Sequence, residues 1–100
     1  MSELTESVFS AATISTPLAA RYMTQLCKHF EHKLTVTYDE RSGQIAFAFG
    51  LCRLQAQMGE LTLSLSSTDA ASLAQLQDVV ARHLLRFAFR DDLQIIWRSA

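Results

Sequence analysis

Three histidines, two cysteines and a register of arginines are the residues of this 100-residue chain best suited to chemistry. Two of the histidines and one cysteine fall within Cys27-Lys28-His29-Phe30-Glu31-His32-Lys33. Written as C-x-H-x-x-H, the run invites a zinc reading, because thiolate sulfur and imidazole nitrogen are the ligands of structural zinc. Helical geometry works against it. At about 100° per residue, Cys27 and His29 point about 160° apart and cannot hold one ion on a regular helix. Cys27 instead borders the stripe of Met23 and Phe30, where a small thiol is ordinary core material.

His29 and His32, three apart, lie on neighbouring helical rows and can approach a common point. Gln25 sits between those rows one turn earlier, and Tyr22 stands next to His29. A structural zinc takes four ligands, so a pair of histidines needs help from elsewhere. His83 is the remaining histidine, on the shoulder of a second helix beside Leu76 and Phe87. If both helices cover one face of a sheet, the shoulders carrying His29 and His83 meet between them. His29, His32 and His83 then form a candidate metal site. The alternative stays open: His29 and His83 are core-edge histidines satisfied by backbone or by Tyr22. His32 then simply suits the negative end of a helix dipole.

Arg82, Arg86 and Arg90 recur at four-residue spacing next to the row of His83, and Lys28 and Lys33 add charge near the first helix end. Guanidinium groups are planar anchors for carboxylate and phosphate. A groove edged by these arginines and His83 suits an anionic ligand or an acidic partner. The competing reading is a solvated helix face paired to Asp78, Asp91 or Asp92, each pair worth little.

Those residues need elements to position them. Val8 to Ser15 reads as a strand, rich in β-branched and small residues. Thr16-Pro17 looks like an N-cap with proline at the first helical position, and the spacing of Leu18, Ala19, Tyr22, Met23, Leu26 and Phe30 predicts a helix over 17–31. From Leu34 the period becomes two. Leu34, Val36 and Tyr38 share a face, as do Ile45, Phe47 and Phe49, then Cys52, Leu54 and Ala56, then Leu61, Leu63 and Leu65. Turns fall at 39–43, Gly50 and Met58-Gly59, so these segments form an antiparallel sheet that is apolar on one side. Thr68 is placed to cap a second helix, with Asp69 near its positive end. Leu73, Leu76, Val80, Leu84 and Phe87 line its core face to about Phe89, and Leu93 to Arg98 closes the chain as a strand. The order β-α-β-β-β-β-α-β predicts an α+β two-layer sandwich: an antiparallel sheet of about six strands with two helices on one face.

Length and composition set the frame. One hundred residues, 49% apolar and 19% charged, predict a single domain over 1–100, with residues 1–6 as a frayed tail. A formal net charge of −1 gives no bulk drive toward nucleic acid or acidic membranes. Two cysteines are too few for a secreted disulfide scaffold, and Glu3 and Glu6 stand where a signal peptide is positive. No apolar segment approaches the roughly 20 residues that span a bilayer. The expectation is a cytoplasmic protein without nucleic-acid or membrane partners. The sheet's far face, with Thr35, Thr37, Ala46, Ala48, Gln55, Thr62 and Ser64 and only Arg53 charged, is unusually bare and suits packing on another sheet, in a homodimer or a larger assembly; a plain exposed face is the open alternative. Glycine-rich phosphate loops, nucleophile elbows, CxxC pairs and paired-carboxylate motifs are missing.

The run Arg21-Tyr22 … Gln25-Leu26-Cys27-Lys28-His29-Phe30-Glu31-His32-Lys33 closely resembles a family of small bacterial proteins, domain of unknown function 2218. The likeness continues through Phe47-Ala48-Phe49-Gly50, His83-Leu84-Leu85-Arg86-Phe87-Ala88-Phe89-Arg90, Leu93 and Trp97, essentially the whole chain after its tail. The family has no established activity. Its members stand beside, or are fused to, siderophore-interacting flavoprotein reductases, and the resemblance implies an accessory part in siderophore or iron handling. Such a reductase is the expected partner, acting in trans. Three readings follow: a binding protein whose site is Tyr22, His29, His32, His83, Arg86 and Arg90; a self-associating module; or an enzyme using a histidine as general base on a small acid.

Overall fold

The computed structural model describes residues 7–100, so the expected frayed tail lies outside the described residues. The element order matches the sequence expectation: β1 (Val8–Ser15), α1 (Ala19–Phe30), β2 (Thr35–Tyr38), β3 (Ser42–Phe47), β4 (Gly50–Gln57), β5 (Glu60–Ser67), α2 (Ala70–Phe87) and β6 (Arg98–Ser99). The strands form one antiparallel sheet in the order β2-β3-β4-β5-β1-β6. Strand alternation sends Ile14, Ile45, Cys52, Leu54, Leu61, Leu63 and Leu65 to one face, where all are buried. Removing each such leucine from water stabilises the fold by about 2 kcal/mol.

Both helices lie on that face. α1 packs on β2, β3 and β4, and α2 on β5 and β1. The apolar rows that the period predicted make the contact: Ala19, Tyr22, Met23, Leu26 and Cys27 from α1, and Leu76, Val80 and Leu84 from α2, are buried. No helix among the described residues is long and apolar enough to cross a membrane.

The element ends depart from the sequence expectation in instructive ways. α1 begins at Ala19, and the residue before it, Leu18, supplies no side-chain cap. Thr16 acts one step earlier, its Oγ1 accepting from Leu18 N at 3.1 Å. At α2 the cap is Asp69 and not Thr68: the Asp69 carboxylate accepts from Ser72 N at 2.7 Å. A carboxylate is the stronger acceptor there and also carries the charge that the helix dipole favours. The turn before β3 is built by Asp39, whose Oδ1 accepts from Arg41 N and Ser42 N, both at 2.8 Å. These two backbone bonds hold the Asp39 carboxyl below its usual range. The last strand is much shorter than expected. Leu93, Ile95 and Trp97 pack against the core, yet only Arg98 and Ser99 pair, with Ala11 and Ser10.

Candidate functional site

The helix register places His29 on the last turn of α1 and His83 one turn before the end of α2. Their rings meet across the groove, with centroids 4.9 Å apart. Phe30 stands edge-on to His29 and tilted against His83, each at 4.9 Å, and Phe87 closes the other side of His29 at 5.6 Å. Phe47 and then Phe49 extend this aromatic wall toward β4. The convergence of His29 and His83 expected from the two helix shoulders is therefore present in the fold.

The two imidazoles are held differently. His83 Nδ1 lies 2.7 Å from the Val79 carbonyl. A carbonyl only accepts, so Nδ1 donates and Nε2 carries the lone pair or a second proton. His29 sits in an exposed position, but its ring is flanked by Phe30, Phe87 and His83. Desolvation, then the charges of His83 and Arg86, hold its pKa below the usual histidine value.

At its other end the groove is a cleft of about 510 Å³ between the start of α1 and the chain just after α2. Tyr22, from the buried row of α1, donates its hydroxyl to Asp91. That bond, burial and the Asp91 charge raise the phenol pKa, against a smaller opposing effect of Arg21. Gln25, one turn on, lines the same cleft with its Oε1 buried and without a hydrogen-bond partner. Phe87, Phe89 and Arg90 form the facing wall, with the Arg90 guanidinium 5.5 Å from the Phe89 ring centre. Because Tyr22 meets Asp91 while His29 meets His83, the helices run in opposite directions along the groove, and Gln25 lies between its two ends.

His32 stands apart. α1 stops at Phe30, and the amides of Lys33 and Leu34 both bond to the Phe30 carbonyl, so His32 belongs to a tight turn. Its charge is among the smaller influences that lower the His29 pKa. Among the described residues no three His, Cys, Asp or Glu side chains gather as a metal-holding group. Cys27 is fully buried, and burial pushes its thiol up to about 11. In the arginine register, Arg82 pairs with Asp78 at 2.9 Å on exposed helix surface. Arg86 lies close enough to His29 to influence its charge.

The sequence points to Tyr22, His29, His32, His83, Arg86 and Arg90 for this groove, with Gln25 noted beside them and not included in the site. Asp91 enters that reading as a surface ion-pair partner for the arginines, not as a partner for Tyr22. Nothing in linear spacing brings Asp91 to Tyr22, 69 residues away.

The opposite sheet face holds a broader depression of about 700 Å³, lined by Thr37, Gln44, Arg53, Gln55, Thr62, Ser64 and the turn at Asp39. Its register is continuous: Thr37 faces Gln44, Gln44 faces Arg53, and Arg53 faces Ser64 across neighbouring strands. It holds none of the histidines.

Comparison with known proteins follows the same lines. Residues 11–98 match a family described as uncharacterized protein conserved in bacteria (DUF2218), and the chain belongs to that family. It is also similar to the NMR structure of PA4090 from Pseudomonas aeruginosa, with 40% identity and a TM-score of 0.77. That likeness covers 91% of this chain and 95% of the other. No curated protein matches.

Proposed function

We propose that this member of the DUF2218 family is a small accessory binding protein in siderophore or iron handling, and that the groove between α1 and α2 is its binding site. The observation that carries the reading is the His29–His83 pair, 4.9 Å between ring centres, with His83 Nε2 left unclaimed by the Val79 bond. Two imidazoles do not make a resident structural metal centre. They do fit a metal that arrives with ligands of its own. Anionic oxygens of such a chelate would meet Arg86 and Arg90, because guanidinium forks suit planar carboxylates and related oxyanions. The aromatic wall of Phe30, Phe47 and Phe87 offers an apolar bed beside the charged rim. His32, in its turn, contributes charge at the margin of the site. The chemistry is capture and presentation in the cytoplasm, with a siderophore-interacting flavoprotein reductase as the partner in trans.

Calorimetric titration with ferric citrate, iron-free citrate, iron(II) and zinc tests this, repeated for His29→Ala, His83→Ala and Arg86→Ala/Arg90→Ala. Ferric citrate should bind, and each variant should weaken it by about tenfold, equivalent to about 1.4 kcal/mol. Absent binding, or binding indifferent to all three variants, overturns the proposal.

A second reading draws on the opposite sheet face, where hydroxyl, amide and small side chains surround Arg53 alone. Such a face favours self-association into a homodimer. Light scattering decides it: a strict monomer at high protein concentration excludes sheet-face pairing.

A further inference from the structure

We infer that the Tyr22–Asp91 end of the groove selects a small carboxylic acid that carries its own hydrogen-bond donor, an aromatic hydroxy acid being the simplest case. This rests on the groove being the binding site and specifies what one end of it recognises.

The unmet acceptor comes first. Gln25 Oε1 is buried and unpartnered at the cleft between the helices. A buried acceptor left without a donor is costly, and the natural remedy is a donor brought by whatever fills the cleft. Tyr22 cannot supply it, since its hydroxyl is committed to Asp91. The cleft therefore shows a visitor the Asp91 carboxylate, and beside it the Gln25 side chain, whose buried Oε1 a turn of that side chain would bring to an entering donor. It also shows two guanidinium groups, Arg21 and Arg90, and the rings of Phe87 and Phe89.

Each simpler ligand class fails one of these groups. A plain anion answers the arginines, is opposed by Asp91 and leaves Gln25 unpaired. A neutral alcohol or amide answers Gln25 and leaves both guanidinium groups to solvent. A simple amine meets Asp91 and is repelled by the arginines. An acid with a ring and an O–H or N–H group satisfies the cations, the acceptor and the aromatic walls together. The volume of about 510 Å³ is ample for one such molecule.

The test is calorimetry with 3-hydroxybenzoate, benzoate and 3-hydroxybenzamide against the full chain, Gln25→Met and Arg90→Gln. The native protein should prefer 3-hydroxybenzoate to benzoate by about tenfold, the usual effect of pairing a buried acceptor. Gln25→Met, which keeps the side chain's length and volume, should erase that preference while leaving benzoate binding intact. Arg90→Gln should weaken both acids alike and leave the benzamide unchanged. Movement of the Gln25 side-chain amide resonance on adding 3-hydroxybenzoate to the native protein supplies a readout that needs no variant. Equal binding of the two acids, a preference surviving in Gln25→Met, or no binding of any probe overturns the inference. Ferric citrate binding that depends on His83 without this discrimination removes the inference and leaves the iron reading standing. Gln25-dependent discrimination without ferric citrate binding does the reverse.

Discussion

Replacing Tyr22 by phenylalanine isolates one bond that ties the groove together. Tyr22 is only 5% exposed, so phenylalanine retains the packing and deletes the hydroxyl donated to Asp91. A hydrogen bond to a charged acceptor contributes about 1.5–3 kcal/mol net, and the half-exposed setting of Asp91 favours the lower end, about 1.5 kcal/mol. For a domain of this size that is a fall in Tm of about 6–12 °C. Asp91→Ala should cost a similar amount, because it strands the Tyr22 hydroxyl. The double variant should be little worse than either alone, giving a coupling of about 1.5 kcal/mol in a double-mutant cycle. Urea denaturation followed by circular dichroism measures it. Linkage gives an independent check. A phenol whose folded pKa is raised stabilises the fold fully below its unfolded value of about 10, and the contribution is lost as pH rises through the folded value. Stability at alkaline pH should therefore fall less steeply in Tyr22→Phe than in the native chain. Tyr38, whose pKa is also raised by burial, retains its own share of that slope. A coupling below about 0.5 kcal/mol, within ordinary additivity error, or an unchanged alkaline slope refutes the assignment of this bond.

Other consequences are directly measurable. His29 should titrate below about 6.5 by NMR, and His83→Ala should move it upward by removing a neighbouring positive charge. Because that pKa is depressed, the contribution of His29 to stability is complete above its unfolded value and lost as pH falls through the folded one. Gly43→Ala would bring a new Cβ to 2.8 Å from Cys27 Sγ and should destabilise the fold by about 1–3 kcal/mol. Adding Cys27→Ala should recover part of this in a denaturation series; no recovery would mean that the contact with Cys27 is not the cause. Asp69→Ala should lower the thermal midpoint by a few degrees while Thr68→Ala leaves it unchanged, since Asp69 holds the α2 cap. Both thiols should resist a disulfide exchange reagent at pH 8 until urea unfolds the chain. Burial raises both, that of Cys27 to about 11 and that of Cys52 further still.

The architecture was legible because binary patterning changes period cleanly at Leu34 and again after Ser67. Alternating leucines at 61, 63 and 65 leave a sheet with one greasy face, and two helical stripes are what cover it. The element ends were less legible. Thr68 and Asp69 are both good caps, and spacing alone does not show which the backbone path brings to the Ser72 amide. The final strand misled for a related reason. Leu93, Ile95 and Trp97 alternate because they pack on the core, and alternation reports burial on one side without reporting ladder hydrogen bonds.

The candidate site divides along the same line. His29 and His83 could be brought together on paper because each sits on the shoulder of a stripe whose core face was already assigned. Two shoulders on one sheet share one groove. His32 follows in the turn just past the end of α1 at Phe30, where helical spacing alone no longer fixes a side chain's direction. Asp91 lay beyond any such logic, being fixed by where the chain turns after α2. Yet Asp91 changes the chemistry of the groove most. Its carboxylate occupies Tyr22, turns a hydroxyl donor into a committed one, and sets an acceptor in the cleft that Gln25 also lines. Arginines alone predict a site for anions in general. With Asp91 in place, the inferred ligand is an anion that also carries a donor, so a residue read from sequence as a surface ion-pair partner is the one that narrows the inference.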